Sequence, residues 1–220
     1  MRRLALLLLL AAAGCGGDEP RALPVGAEPV ELDPAEFSAE IDNPYWPMRP
    51  GSRWVYREGD QRVVVTVTPR TRRILGIEAR VVHDVVTENG EVVEDTYDWY
   101  AQDGDGNVWY LGEDTKEYEN GTVVSTKGSW EAGVNGARGG LIMPANPRPG
   151  MQYRQEYLAG EAEDKARVVS VFADSVLTRE WTPLEPKRFE YKLYARGVGT
   201  VLELSVPSGD REELVSFTRG

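Results

Sequence analysis

Cysteine and histidine are almost absent from this sequence, which excludes several kinds of site. The 220 residues include one Cys, Cys15, and one His, His83. A single thiol excludes an internal disulfide and a cysteine-rich zinc site. A single imidazole excludes a metal centre built from several histidines, and it leaves few groups for acid–base chemistry near neutral pH.

Basic residues are outnumbered by acidic ones, and the familiar catalytic motifs are missing. Lys and Arg total 25 against 36 Asp and Glu, which gives a net charge of −11. Such a chain repels phosphate backbones, so no nucleic-acid partner is expected. The sequence has no Gly-x-Ser-x-Gly elbow, no phosphate-binding Gly-Lys loop and no His-Glu-x-x-His. It therefore contains no recognisable catalytic site, and the protein is not expected to be an enzyme.

The N-terminus has the pattern of an export signal. Arg2 and Arg3 precede an unbroken apolar run at residues 4–13. A membrane span needs about 20 apolar residues, so this run is too short for a permanent anchor. A basic start followed by a short apolar run and small residues is typical of a secretory signal.

The small residues that end this run stand directly before the one cysteine. The string Ala12-Ala13-Gly14-Cys15 resembles the lipobox of bacterial lipoproteins, in which the Cys is acylated with fatty acids such as palmitate and becomes the new N-terminus. We predict a lipoprotein signal peptide at residues 1–14 and a diacylglyceryl group on Cys15 that anchors an exported protein to a membrane of the cell envelope, outside the cytoplasm. The alternative is an ordinary signal peptide with an incidental Cys.

The composition after the cysteine predicts a tether and then a single folded domain. Residues 15–31 contain Gly, Pro, Ala, Asp and Glu with few large apolar residues. Such a segment has too little apolar surface to offset its ordering entropy, so it is predicted to be flexible. Residues 32–220 are predicted to form one β-rich domain.

A short helix is predicted at the start of this domain. Asp33-Pro34-Ala35-Glu36 combines a capping residue, a proline suited to the first helical position and a Glu that can complete a capping box. Phe37 and Ile41 are four residues apart and would share one helix face. Asn43-Pro44 would end the helix.

The rest of the domain has the period-two pattern of antiparallel strands. Residues 77–88 and 91–102, joined by Asn89-Gly90, predict a long hairpin, because both turn residues tolerate positive φ. Asn120-Gly121 predicts a second hairpin. Residues 128–150 have six glycines and three prolines, which predicts a loop, either functional or a crossover. The predicted fold class is all-β, an antiparallel β-sandwich or barrel with one short N-terminal helix.

Two short motifs each occur twice, in the same order. Arg-Pro-Gly followed by two residues and an aromatic occurs at residues 49–54 and 148–153. Tyr-Ala followed by a turn with Gly-x-Gly occurs at residues 100–106 and 194–199. We hypothesise two duplicated β units, the alternative being that these strings are common turn solutions.

The duplicated units would be residues 45–127 and 147–220. If they pack together, the seam between them is the natural place for a pocket.

Four stretches of the chain resemble one family. Residues 42–56, DNPYWPMRPGSRWVY, resemble the opening signature of a family of uncharacterised bacterial secreted lipoproteins. Residues 194–203, YARGVGTVLE, resemble its closing signature, and residues 95–102 and 129–133 are also similar to it. The resemblance implies a secreted all-β domain and implies no chemistry.

One string resembles the start of a calcium loop. Asp103, Asp105 and Asn107 alternate with glycines, which places oxygen ligands at alternate positions. The Gly and Glu that an EF-hand loop requires further on are absent. The two interpretations are a hairpin turn and a weak Ca²⁺ site, and no other cofactor is predicted.

Aromatic residues are the other candidates for ligand binding. Trp54, Trp99, Trp109 and Tyr110 lie on predicted strands, where exposed rings stack on sugar faces or line an apolar pocket. Alternation puts Trp99 and Tyr100 on opposite faces of their strand. The alternative role for these rings is packing in the core.

Together these features predict a lipid-anchored extracytoplasmic binding or structural module without enzymatic activity. Its predicted partner is the membrane, reached through Cys15, and no small-molecule or protein partner is specified. One alternative is a carrier for lipids or envelope proteins, with its pocket between the two β halves. Another is a hydrolase that uses a pair of carboxyl groups.

Overall fold

The computed structural model describes residues 23–206 and 208–220 and shows an all-β protein. Cys15 and the predicted signal peptide lie outside the described residues. Sixteen strands form one antiparallel sheet that curls into a nearly closed barrel, which confirms the predicted fold class. Among the described residues, no helix is long and apolar enough to cross a membrane.

The strands follow one another closely along the chain. Their bounds are β1 (Phe37–Ser38), β2 (Arg53–Glu58), β3 (Gln61–Ile74), β4 (Ile77–Glu88), β5 (Glu91–Asp103), β6 (Val108–Glu119), β7 (Thr122–Ser125), β8 (Trp130–Glu131), β9 (Arg138–Met143), β10 (Gln152–Arg154), β11 (Glu156–Tyr157), β12 (Lys165–Val171), β13 (Ser175–Trp181), β14 (Phe189–Ala195), β15 (Gly199–Val206) and β16 (Arg211–Thr218).

Two meanders of neighbouring strands make up the barrel wall. One runs from β2 to β6, and the other runs from β10 through β12 to β16. The meanders join where β16 pairs with β2. At the other side, β9 pairs with β6 and with β11, while β10, one residue before β11 in the chain, pairs with β12. A single stretch of chain, residues 152–157, therefore brings the two ends of the sheet together.

The Asn-Gly hairpins form where they are predicted. Asn89 and Gly90 have φ of 51° and 88°, and they connect β4 to β5. Asn120 and Gly121 have φ of 51° and 72°, and they connect β6 to β7. Positive φ at both turn positions matches the twist of the flanking strands, which explains why this dipeptide specifies the register.

The predicted N-terminal helix is wrong beyond its first turn. Asp33 caps as expected, since its side chain accepts a hydrogen bond from the N–H of Ala35 at 3.0 Å. The residues after it, Pro34–Glu36, make only a 3₁₀ turn. Phe37 then enters β1, which pairs with β5 at Gln102 and Asp103. That stretch of β5 lies beyond its last pairing with β4, so an unpaired sheet edge outcompetes the helix.

The glycine-rich segment 128–150 is not a loop, because it contains β8 and β9. A Cβ added to Gly140 in β9 would lie 2.5 Å from the carbonyl oxygen of Arg154. Glycine is therefore needed for the backbones to meet where the barrel closes. Glycines in this segment suggest a loop from the sequence. In the structure, they allow β9 to approach the backbone of residues 154–155 closely.

Residues 23–31, which the composition assigns to the tether, lie against the barrel. The buried Arg154 holds them, since its backbone N–H donates to the carbonyl of Pro24 at 2.7 Å and its Nη1 donates to the carbonyls of Gly26 and Glu28. Five donors on a fixed fork let one arginine satisfy several carbonyls at once. The predicted boundary at residue 32 therefore does not mark the first contact with the domain.

The two Arg-Pro-Gly motifs have the same backbone hydrogen bonds. Gly51 and Gly150 have φ of 88° and 91°. The N–H of Gly51 donates to the carbonyl of Val67, and the N–H of Gly150 donates to the carbonyl of Val168, each at 2.8 Å. Both motifs open the first strand of a meander, β2 or β10. This agreement supports the hypothesis of duplication, which stays a prediction.

Candidate ligand-binding site in the barrel lumen

The interior of the barrel contains a cavity of about 290 Å³. It lies between the two meanders, because the side chains around it come from β2–β5 on one side and from β14–β16 on the other. Period-two alternation directs every second residue of these strands inward. The aromatic and charged lining residues are Trp46, Trp54, Tyr56, Glu58, Asp84, Asp98, Tyr100, Lys192, Tyr194, Glu203 and Glu212.

Trp46 lies between equivalent tyrosines of the two meanders. Its ring centroid is 5.7 Å from that of Tyr100 and 5.8 Å from that of Tyr194. The chain around it contacts both Gly-x-Gly turns: Asn43 donates to the carbonyl of Gly106, and the carbonyl of Pro44 accepts from the N–H of Gly197. This segment therefore forms an aromatic floor to the cavity.

Lys192 is the centre of an ionic cluster on the β14 side. Its Nζ is 3.0 Å from carboxylate oxygens of Glu190 and Glu203 and 3.6 Å from one of Glu180. Burial alone would lower the pKa of Lys192, but the charges of Glu203, Glu190 and Glu180 outweigh it and raise the pKa well above the ordinary range. The lysine is therefore a cation that its own neighbours neutralise, and it is not a free nucleophile.

A second group of carboxyls lies on the β5 side. Asp98 accepts a hydrogen bond from the hydroxyl of Tyr110 at 2.7 Å, and Tyr110 stacks on Tyr100 with centroids 4.8 Å apart. Burial raises the pKa of Asp98 to about 6, although the Tyr110 hydrogen bond opposes the shift. Glu113, directly across from Asp98 on β6, has a pKa of about 9, because it is buried and close to Asp98.

Asp84 and Glu212 face the cavity from β4 and β16. Burial, followed by the charges of Asp98, Glu212 and Glu94, raises the pKa of Asp84 well above its ordinary value. Burial and the nearby Glu203 raise the pKa of Glu212 to about 7. The lumen therefore concentrates acids that resist losing their protons, since each negative charge disfavours the next.

Of the predicted aromatic residues, the structure brings two into the barrel interior. Trp54 is 2% exposed, lines the cavity and donates from Nε1 to the carbonyl of Val198 at 2.7 Å. Tyr110 packs behind Tyr100. Trp99 lies on the outer face under Arg72, whose guanidinium carbon is 4.1 Å from the ring centroid.

The fourth predicted aromatic residue, Trp109, does not reach the cavity. It is buried under the N-terminal segment, edge-on to Phe37 at 6.1 Å.

Asp103, Asp105 and Asn107, the candidates for a weak Ca²⁺ site, lie in a hairpin turn. The carboxylate of Asp103 accepts from the N–H groups of Asp105 and Asn107, from the Asn107 amide and from Trp109 Nε1. The amide oxygen of Asn107 accepts from the N–H of Ala145. Within residues 23–206 and 208–220, no three or more His, Cys, Asp or Glu converge as a metal site would require.

The charged lining residues are not singled out by the sequence patterns above. Asp84, Asp98 and Lys192 each occupy an inward position two residues from a buried Val82, Tyr100 or Tyr194. A charged residue on the same face of a strand as buried residues indicates a polar lumen. In a solid core, that inward position would be occupied by an apolar residue.

Comparisons of this chain with protein-family models, with curated proteins and with solved structures find no match.

Proposed function

We propose that this protein is a lipid-anchored extracytoplasmic binding module, without enzymatic activity, whose ligand is a small molecule held in the lumen. The observation that carries the proposal is the 290 Å³ cavity between the two meanders, lined by aromatic rings and six charged side chains. Enclosed sites with apolar walls and a small number of polar groups are the usual form of small-molecule sites.

The size of the cavity favours a small ligand over a lipid. An engineered protein cavity of about 150 Å³ holds one benzene molecule. The lumen, at about 290 Å³, is about twice that size, which suits one ring with a short substituent. A lipid with two acyl chains is much larger, so the volume favours a binding module over a lipid carrier.

The anchoring part of the proposal rests on Cys15 and the leader before it. Acylation with two chains would hold the domain stably at a membrane, since each buried CH₂ contributes about 0.8 kcal/mol. A Cys15→Ser variant is expected to lose its acyl chains and to appear in the soluble envelope or culture fraction. Retention of this variant in the membrane fraction would contradict the anchor and would leave the proposed lumen site unaffected.

Binding in the lumen is tested by filling it. Val65 lines the cavity from β3, and the next residue, Val64, faces the other side of the strand. The purified full chain is screened by thermal shift against small aromatic amines, alcohols and acids, together with the Val65→Phe and Val64→Phe variants. At least one class of compound should stabilise the parent and the Val64→Phe variant but not the Val65→Phe variant.

Two results of this screen would overturn the proposal. One is that no compound stabilises the parent, and the other is that the Val65→Phe variant binds as well as the parent. Turnover of a glycosidic or ester substrate that is lost on replacing Asp98 by Asn would favour the carboxylate hydrolase instead.

A further inference from the structure

Acidic side chains in the lumen outnumber those that its own cation contacts. Lys192 is the one basic residue among the described residues that line the cavity. It already contacts Glu180, Glu190 and Glu203. Glu58, Asp84, Asp98 and Glu212 also line the cavity, and none of the ion pairs among the described residues joins them to a base. The lumen therefore contains acidic groups without a basic partner, which could contact a positively charged ligand.

Two polar atoms of cavity-lining residues have no partner within the described part of the chain. Oδ1 of Asp84 and Nε1 of Trp46 are inaccessible to solvent and make no hydrogen bond. Leaving a buried polar atom unpaired costs about 1–3 kcal/mol, so native proteins usually supply a partner. These atoms are an acceptor and a donor on the walls of one cavity, which points to a polar ligand.

The residues that pair with Asp84 across the sheet offer no free side-chain donor to its Oδ1. In register, Asp84 lies between Val65 on β3 and Thr96 on β5. The Thr96 hydroxyl is already used, because it bonds to Glu94 at 3.0 Å and to the hydroxyl of Thr115. The missing partner of Asp84 Oδ1 is therefore expected to come from the lumen.

Aromatic rings line the same cavity as this carboxyl group. Trp46, Trp54, Tyr56, Tyr100 and Tyr194 all line it. Ring faces attract organic cations through their quadrupoles, and a carboxylate next to them adds a charge-assisted hydrogen bond. A bare metal ion would lack ligands, because the described residues bring no three or more His, Cys, Asp or Glu together at a metal-binding geometry.

We propose that the lumen binds a small organic ammonium ion, a primary amine carried on one aromatic ring or a short apolar chain. Its ammonium group donates to Asp84, and its apolar part packs against Trp46, Tyr100 and Tyr194. The inference rests on the proposed function and specifies the chemical class of the ligand. The cavity, about twice the size of one that holds benzene, matches a guest of this size.

The proposal predicts that binding is linked to protons. Burial raises the pKa of Asp84, and the charges of Asp98 and Glu94 on β5 and of Glu212 on β16 add to the effect. Across the lumen, Lys192 on β14, Glu203 on β15 and Glu58 on β2 also face the cavity. An ammonium ion favours the ionised carboxylate, so the complex should weaken as the pH falls and Asp84 becomes protonated.

The test uses three probes that share one ring and differ in charge. They are 2-phenylethylamine, 2-phenylethanol and phenylacetate, each titrated into the purified full chain, with tryptophan fluorescence and calorimetry as readouts. The amine should bind about tenfold or more tightly than the alcohol, and phenylacetate should bind least. This comparison uses the parent chain, so it needs no variant to fold.

Asp84→Asn is the matching variant, because the amide keeps the shape of the carboxyl group and removes its charge. Asp95→Asn is its control, since Asp95 pairs with His83 at 3.2 Å away from the cavity. Amine affinity should fall about tenfold or more in the Asp84→Asn variant and stay unchanged in the Asp95→Asn variant.

The outcomes separate this inference from the proposed function. Equal affinity for the amine and the alcohol, with both lost in the Val65→Phe variant, would overturn the ammonium assignment and leave the lumen site standing. Unchanged amine affinity in the Asp84→Asn variant would also overturn it. Absence of binding by all three probes would overturn the inference, whereas the proposed function would fall only if the wider screen were negative too.

Discussion

Gly140 and Arg154 meet where the barrel closes, with the Cα of Gly140 facing the backbone of Arg154. A Cβ at this position would lie 2.5 Å from the Arg154 carbonyl oxygen and equally close to the backbone of Gln155. Backbone atoms at this distance cannot move aside as a flexible side chain can. The contact therefore makes glycine a requirement of closure at residues 152–157, the stretch that joins β9 to β12.

Replacing Gly140 by Ala should destabilise the protein by about 3 kcal/mol or more, because the strands must separate to accept the methyl group. The free energy of unfolding from urea titration measures the effect. Gly104→Ala is the control, since the nearest atom to its added Cβ is 3.8 Å away. Equal stability of the two variants would contradict the requirement for glycine at this contact.

The same glycine shows what the sequence can predict about the fold. Strand periodicity and the Asn-Gly turns specify β4, β5 and the hairpin between them, because these signals are local. The strand β9 is not predicted, because Gly139 and Gly140 are typical of a loop. Their role in a strand is visible only in the structure, where the backbone of residues 154–155 packs against Gly140. The meeting of β9 with β11 is a long-range contact that no local pattern encodes.

Stability should fall as the pH rises from about 5 to 9. The pKa values of Asp98, Glu212, Glu156 and Glu113 rise to about 6, 7, 8 and 9, chiefly through burial. The native state therefore binds protons more tightly than the unfolded chain, so its advantage is full at acidic pH and is lost as each group ionises. Thermal unfolding at a series of pH values measures this trend.

Glu113→Gln should flatten the trend. Glu113 lies opposite Asp98 on β6, so removing its charge should stabilise the protein by several kcal/mol at pH 9 and change little at pH 5. The exposed Glu117 on the same strand provides the control, Glu117→Gln. A protein that becomes more stable as the pH rises from 5 to 9 would contradict this account.

Removing Lys192 should leave three glutamates without their common cation. The Lys192→Met variant is expected to lose about 3–5 kcal/mol at neutral pH, the usual effect of breaking a buried ion pair from one side. The loss should shrink as the pH falls, because burial raises the pKa of Glu190 and protonation then removes its unpaired charge. Denaturant unfolding at pH 5 and pH 7.5 provides the comparison.

Lys116→Met is the control for this effect. Lys116 pairs with Asp114 at 3.0 Å on the surface, and exposed pairs contribute less than about 1 kcal/mol. A Lys192→Met variant as stable as the Lys116→Met variant would show that the cluster in the lumen is dispensable.

The site was harder to predict than the fold, and Asp84 shows why. Acids make up 36 of the residues, so an acidic residue on a strand is uninformative by itself. Asp84 matters because the barrel directs its side chain into the cavity that Trp46 and Tyr100 also line. Residue type alone makes Trp54 and Tyr110 candidates, whereas their inward placement depends on strand phase and barrel closure together.

The turn at Asp103 can be distinguished from a cation site by comparing two aspartates. Asp103→Ala removes the acceptor of Trp109 Nε1 and of the Asn107 N–H groups, so it should cost about 2–3 kcal/mol. Asp105 is exposed, and Asp105→Ala should change stability by less than about 0.5 kcal/mol. A bound calcium ion would need both carboxylates, so the two variants would then lose stability together.

The decisive measurement is the melting temperature of the parent protein with calcium and with chelator. A calcium-dependent rise that disappears in the Asp105→Ala variant would contradict the turn and establish a metal site.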